Sequence, residues 1–223
     1  MFPKYSSGYP TSLLAIDPGT HHTGYAVGTI THASLASQWK IRFEDIGLIE
    51  PGDRLHLDRK RFVASTVSML CQEFKVMTVV VEEPPQTMYN QEGSTFHTLV
   101  ARAQSVFRVV ALANWIMASL PEQITVIPIL PVQWEQKMKS RAAKVLGHQQ
   151  GKNIKETSME MANLMLSHSS HEYFQFQWRA KISRTVEFPL ETKRESNVAD
   201  AINILYNYYL AWQQSLHVQQ TAK

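Results

Sequence analysis

Three carboxylates in this chain stand where chemistry could use them. Asp17 ends an apolar run, Leu-Leu-Ala-Ile-Asp-Pro-Gly-Thr. Pro18-Gly19 then turns the chain, which fixes the acid at the end of a strand, where open α/β sheets place their ligand sites. Glu82 ends a second run, Val-Val-Val-Glu-Glu-Pro-Pro. If these strands are parallel neighbours, their ends lie ~4.8 Å apart and can share a divalent cation. Neighbouring side chains point to opposite faces of a strand, so only one of Glu82 and Glu83 can face Asp17. Asp200 lies in Glu-Ser-Asn-Val-Ala-Asp-Ala-Ile, at the start of a helical pattern. Each acid has a plainer reading. Asp-Pro-Gly is ordinary turn chemistry, and Glu82 can be a solvated strand end. Asp200 can simply complement a helix dipole beside a Ser196 or Asn197 cap.

The elements that would position these acids show in the hydrophobic pattern. Leu13–Ile16, Val76–Val81 and Ile124–Leu130 are nearly continuous apolar runs rich in β-branched residues. That pattern fits strands buried on both faces in a parallel sheet. Gly24–Ile30 and Ile41–Ile49 carry polar interruptions and read as hairpin partners nearer a sheet edge. Helical stripes follow at Val63, Val67, Leu70, Phe74, at Leu99, Ala103, Val106, Val110, and at Val198, Ile202, Leu205, Tyr209, Trp212, Leu216. The order is three strands, helix, strand, helix, strand, then helices, which predicts an α/β fold with a mixed five-stranded sheet flanked by helices. On the last helix Asp200 falls on the face opposite the stripe, with Ser196, Asn203 and Asn207. Residues 168–194 show aromatics and positive charge without a clear stripe, and read as an insertion in a single domain spanning 1–223.

Composition excludes several classes. The chain has 223 residues, 44% of them hydrophobic, 18% charged, with a formal net charge of +3. That is neither a disordered chain nor a polycation, and the length suffices for a sizeable core. The single cysteine, Cys71, allows no intramolecular disulfide and no cysteine zinc cage. The first eleven residues hold no apolar signal segment. The stretch Val109–Leu120 is too short and polar to span a bilayer. The expectation is a soluble protein of the cytoplasm (the host's, if a phage encodes it), without a membrane partner.

Positive charge is concentrated. Lys137, Lys139, Arg141, Lys144, Lys152 and Lys155 contribute +6 in a stretch without an acid. Such a run suits phosphate contacts, which supply most sequence-independent affinity for nucleic acid, although charge runs also occur as plain solvated helix faces. Arg179, Lys181, Arg184, Lys193 and Arg194 stand among Tyr173, Phe174, Phe176 and Trp178. These aromatics could stack exposed bases or form a small core of their own.

Taken together, the motifs resemble the RuvC family of Holliday-junction resolvases in the ribonuclease-H-like superfamily. The resemblance rests on Ile16-Asp17-Pro18-Gly19-Thr20 with Thr23-Gly24-Tyr25, on Val81-Glu82-Glu83, on a helix entered through Asn90 and containing Ala101-Arg102-Ala103-Gln104, and on Val198-Ala199-Asp200-Ala201. It implies that Asp17, Glu82 and Asp200 are catalytic metal ligands for two Mg²⁺ ions, with Mn²⁺ as a substitute. It implies a homodimer that binds branched DNA and makes paired cuts at a four-way junction. The family usually has Asp or His three residues before the last ligand, and Asn197 stands there. Its amide oxygen can bind a hard cation but adds no charge and cannot act as a base; Glu195 is the nearby acid that could partly substitute. Some members carry an aromatic wedge three residues after the glutamate. Here that residue is Pro85, which leaves Met88 or Tyr89 for the role. Lys155 loosely matches a basic residue that the family sets after a glycine turn, here Gly151.

Other readings keep parts of this pattern. YqgF-type relatives share the opening Asp-Pro-Gly and act on structured RNA, but are usually shorter. Actin-like ATPases and sugar kinases begin similarly and need a second domain. A catalytically weak junction-binding protein would account for Asn197.

Overall fold

The computed structural model describes residues 11–33, 38–83, 96–147, 153–169, 183–184, 190 and 195–221. Its core is a mixed sheet of strand order β5-β4-β1-β2-β3-β6. β1 (Thr11–Asp17) lies in the middle, antiparallel to β2 (Thr23–Ala33) and parallel to β4 (Thr78–Glu82). β3 (Gln38–Ile49) continues the antiparallel side, and β5 (Thr125–Ile129) runs parallel to β4 at the other edge. These are the five strands expected from the sequence. A two-residue strand, β6 (Ser183–Arg184), adds to the edge at β3.

β1 explains why its sequence is apolar without alternation. Leu13 and Ala15 face one helical layer, and Leu14 and Ile16 face the other, all fully buried. Both faces of a central strand need covering, so both sets are hydrophobic. α1 (His56–Glu73) and α2 (Phe96–Ser119) cover the face of Leu14 and Ile16 through Val63, Val67, Leu70, Leu112 and Ile116. α3 (Pro131–Val145), α4 (Ile154–Ser169) and α5 (Ser196–Thr221) cover the face of Leu13 and Ala15.

One sequence expectation changes. β5 is not a strand buried on both faces: Thr125 and Pro128 are exposed. It is an edge strand, and a proline without an N–H is tolerated there because no neighbour needs the donor. The polar side of α5 meets α4. Asn203 and Asn207 are buried, and the Asn203 amide donates to the Ser158 backbone carbonyl and hydroxyl oxygens and to the Ala199 carbonyl. α5 lies between the sheet and α4, so its apolar stripe meets strands and its polar stripe meets a helix through hydrogen bonds. α4 continues to Ser169, where the insertion expected at about 168–194 begins. Most of 170–194 lies outside the described residues.

Two glycines let α5 sit this low. A Cβ on Gly24 would collide with the backbone carbonyl of Asn197, and one on Gly19 would collide with the His22 carbonyl and approach the Asn197 amide. Gly24 is the register partner of Asp17. The start of α5 therefore rests directly on the strand beside the first carboxylate.

Candidate active site

The parallel register of β1 and β4 runs from Leu13↔Thr78 to Ile16↔Val81, so Asp17 and Glu82 follow as the next pair. Asp17 projects on the face of Leu13 and Ala15, and Glu82 on the face of Val80, which packs in the same core layer. Glu82, not Glu83, is therefore the glutamate that faces Asp17 under α5. Asp200 reaches the same point from the first turn of α5.

The electrostatics confirm the convergence. Asp17 is 9% exposed, and its carboxyl is held well above the usual range by burial, then by the charges of Glu82 and Asp200. Burial and the Asp200 charge push Glu82 up to about 8, against a hydrogen bond from Trp134 that favours its ionised form. Burial raises Asp200 to about 6, opposed by a hydrogen bond from Ser158 and by the charge of Lys155. Three acids that repel one another in a desolvated place bind protons more tightly than free carboxyls do, and a cation can take the place of those protons.

Two partners of these acids had no signal in the sequence. The Trp134 indole N–H on α3 donates to Glu82 Oε2 at 2.8 Å, and the Ser158 hydroxyl on α4 donates to Asp200 Oδ1 at 2.5 Å. Trp134 is almost fully buried, so its donor is fixed by the core. The partners lie 52 and 42 residues from their acids, beyond the reach of any local pattern.

The donor set suits a hard cation. Carboxylate oxygens are the ligands that Mg²⁺ and Mn²⁺ prefer, and no donor among the described residues bonds the buried Asp17 carboxylate. Among the described residues no preformed cluster of three metal-ligating side chains is closed. Each of the other two acids spends one oxygen on its fixed donor and keeps the second. Asn197 stands beside this group. Its amide nitrogen donates to the His22 carbonyl at 2.6 Å, and its oxygen lies 3.4 Å from the Ser196 hydroxyl.

The basic run divides in the structure. Lys137, Arg141 and Lys144 line a groove of about 410 Å³ between α3 and α5, with Gln136, Ser140 and Gln214. The Arg141 guanidinium stacks over Tyr206 at 4.9 Å. Lys139 is exposed on another side of α3. Lys155, at the start of α4, is close enough to Asp17 and Asp200 to lower both pKa values, so it belongs with the acids rather than with the groove. Lys152, Met88 and Tyr89 lie outside the described residues.

No protein-family model matches the chain, and no curated protein sequence matches it. Solved structures do. RuvC of Thermus thermophilus in complex with a Holliday junction substrate aligns with a TM-score of 0.50 and 18% identity, over 92% of this chain and 96% of that one. The yeast mitochondrial Holliday junction resolvase Ydc2 aligns with a TM-score of 0.52 and 17% identity, over 95% of this chain and 83% of that one. Both likenesses extend over more than nine-tenths of the chain, which has the ribonuclease-H-like fold in the form it takes in RuvC.

Proposed function

We propose that the chain is a divalent-metal-dependent endonuclease that cuts branched DNA at four-way junctions, acting as a homodimer whose two-fold symmetry gives paired cuts. The observation that carries this reading is the meeting of Asp17, Glu82 and Asp200 at one desolvated point, with the Lys155 charge beside them. The fold shared with RuvC and Ydc2 supports the choice of substrate.

Asp17, Glu82 and Asp200 would hold Mg²⁺ or Mn²⁺, with the Asn197 oxygen as a neutral fourth donor. When two ions are bound in such a site, they supply activation of the attacking water and stabilisation of the leaving 3′ oxygen. The protein's own residues orient the acids. Trp134 favours the ionised form of Glu82 against its burial and orients one of its oxygens, and Ser158 does the same for Asp200. Lys155 partly offsets the carboxylate charge and presents a cation to an approaching phosphate. The α3–α5 groove continues that positive surface through Lys137, Arg141 and Lys144 for the DNA backbone.

The test is incubation with a synthetic four-way junction and Mg²⁺ or Mn²⁺, with cut positions mapped. Paired symmetric nicks, lost in Asp17→Asn while binding persists, are expected. A second reading, a junction binder with little turnover, is favoured by the use of the Asn197 amide in a loop contact. Binding without nicks in either metal selects that reading. Cutting of structured RNA in preference to the junction would replace the DNA substrate.

A further inference from the structure

A second cluster of cations lies on the other face of the sheet, where the basic run of α3 and α4 does not reach. Thr20 and His21 follow the Asp17-Pro18-Gly19 turn. His56, Arg59 and Lys60 come from the first turns of α1, and Arg108 comes from α2. These residues converge on a shallow depression of about 30 Å³, with no acid in its lining. Arg59 ties the cluster to the turn: its Nε donates to the Arg54 carbonyl at 2.6 Å, and its NH1 lies 3.5 Å from His21 Nδ1. Desolvation first, then the charges of Lys60, Arg108 and Arg59, lower the His56 pKa. None of Arg59, Lys60 and Arg108 forms a salt bridge among the described residues.

Arg59 and Lys60 of α1 and Arg108 of α2 repel one another, and a fold that gathers them without an acid leaves a standing attraction for an anion. The depression has room for about one water-sized group, which excludes a buried base or nucleotide. It suits a phosphate oxygen that approaches from outside on an extended ligand. We infer that this cluster is a second contact for the phosphate backbone of the DNA substrate, one that carries the strand around the carboxyl end of β1 from the α3–α5 layer to the α1–α2 layer. The inference rests on the nucleic-acid reading of the active site and adds a path for the substrate that the α3–α4 run does not contain.

Lys60 and Arg108 make none of the hydrogen bonds described for this structure, so their removal tests the contact with little structural cost. Binding of two four-way junctions of unrelated sequence is measured against salt, without added divalent cation, for wild type, Lys60→Gln/Arg108→Gln and the charge-retaining Lys60→Arg/Arg108→Lys. Circular dichroism checks that each is folded. Each phosphate contact contributes about 0.9 to the slope of log K against log salt. The glutamine pair should therefore weaken both junctions alike and flatten the slope by about 1.8, and the exchange pair should restore both properties. A glutamine pair with wild-type affinity and slope overturns the second contact while the main reading stands. A wild type that binds neither junction overturns the nucleic-acid reading, and this inference with it.

Discussion

The side-chain amide of Asn197 donates to the backbone carbonyl of His22 at 2.6 Å, joining the first turn of the last helix to the turn that follows the first strand. The bond spans 175 residues and passes beside Asp17. Asn197 thus holds the turn after β1 with its nitrogen, whatever its oxygen does for a metal.

This bond makes Asn197→Asp a revealing change. The substitution gives the site the acid expected there from the resemblance to the RuvC family, but a carboxylate cannot donate to His22. A carbonyl left facing an ionised oxygen should cost about 1–3 kcal/mol in metal-free protein. Urea denaturation in chelator should show that loss, and Mg²⁺ should recover part of it. Unchanged stability without metal would mean that the His22 bond contributes nothing.

The raised carboxyls give the metal-free protein a pH dependence with a definite sign. Glu82 is pushed up to about 8 and Asp200 to about 6, with Asp17 also well above its ordinary value. In the unfolded chain these groups titrate near roughly pH 4. Between there and about pH 8 the folded state binds more protons, so stability falls as pH rises. The Tm in chelator should drop from pH 5 to pH 8, and added Mg²⁺ should raise it more at pH 8. A metal shift equal at both pH values would contradict this.

Asp17→Asn removes the most buried member of the repelling group. Cleavage should fall at least about a hundredfold, the order seen when one electrostatic element of a site is lost. In chelator at pH 8 the variant should melt above wild type. Gel-based cutting and a thermal scan on the same preparation check both halves.

Trp134→Phe keeps a ring in the core but removes the donor to Glu82. The ionised glutamate loses a bond worth about 1.5–3 kcal/mol, so its pKa rises further. The acidic limb of the pH–rate profile should move up by about one unit or more, with the maximal rate recovered at higher pH. A rate loss equal at every pH would point to a packing defect instead.

Gly24→Ala should be among the most damaging small substitutions. The added methyl meets the Asn197 carbonyl, which is backbone and cannot swing aside. Overpacking of this kind costs about 3 kcal/mol or more. The yield of folded protein and its urea midpoint report the loss.

What was legible in the sequence follows from how local each signal is. β1 and β4 announced themselves because both faces of a central strand are apolar and each run stops at an acid. The order of elements could be read because helix and strand periods differ. The stripe put Asn203 and Asn207 on the face opposite the apolar one, but a stripe does not show what covers the polar face; here Ser158 of α4 does. Trp134 and Ser158 could not be paired with their acids, since no period connects residues on different elements. The composition of β5 matches a strand buried on both faces, and only its place at the sheet edge shows why Pro128 is tolerated. The basic run looked like one patch because charge along a sequence carries no phase; on α3, Lys139 turns away from Lys137, Arg141 and Lys144.

The contact at Gly24 also offers a way to sort related sequences. A chain with any side chain at that position must hold its last helix farther from the sheet, and the acid on that helix then sits at a different height. Position 24 is thus a marker, readable from sequence alone, for whether a relative keeps the spacing between its first and last carboxylates.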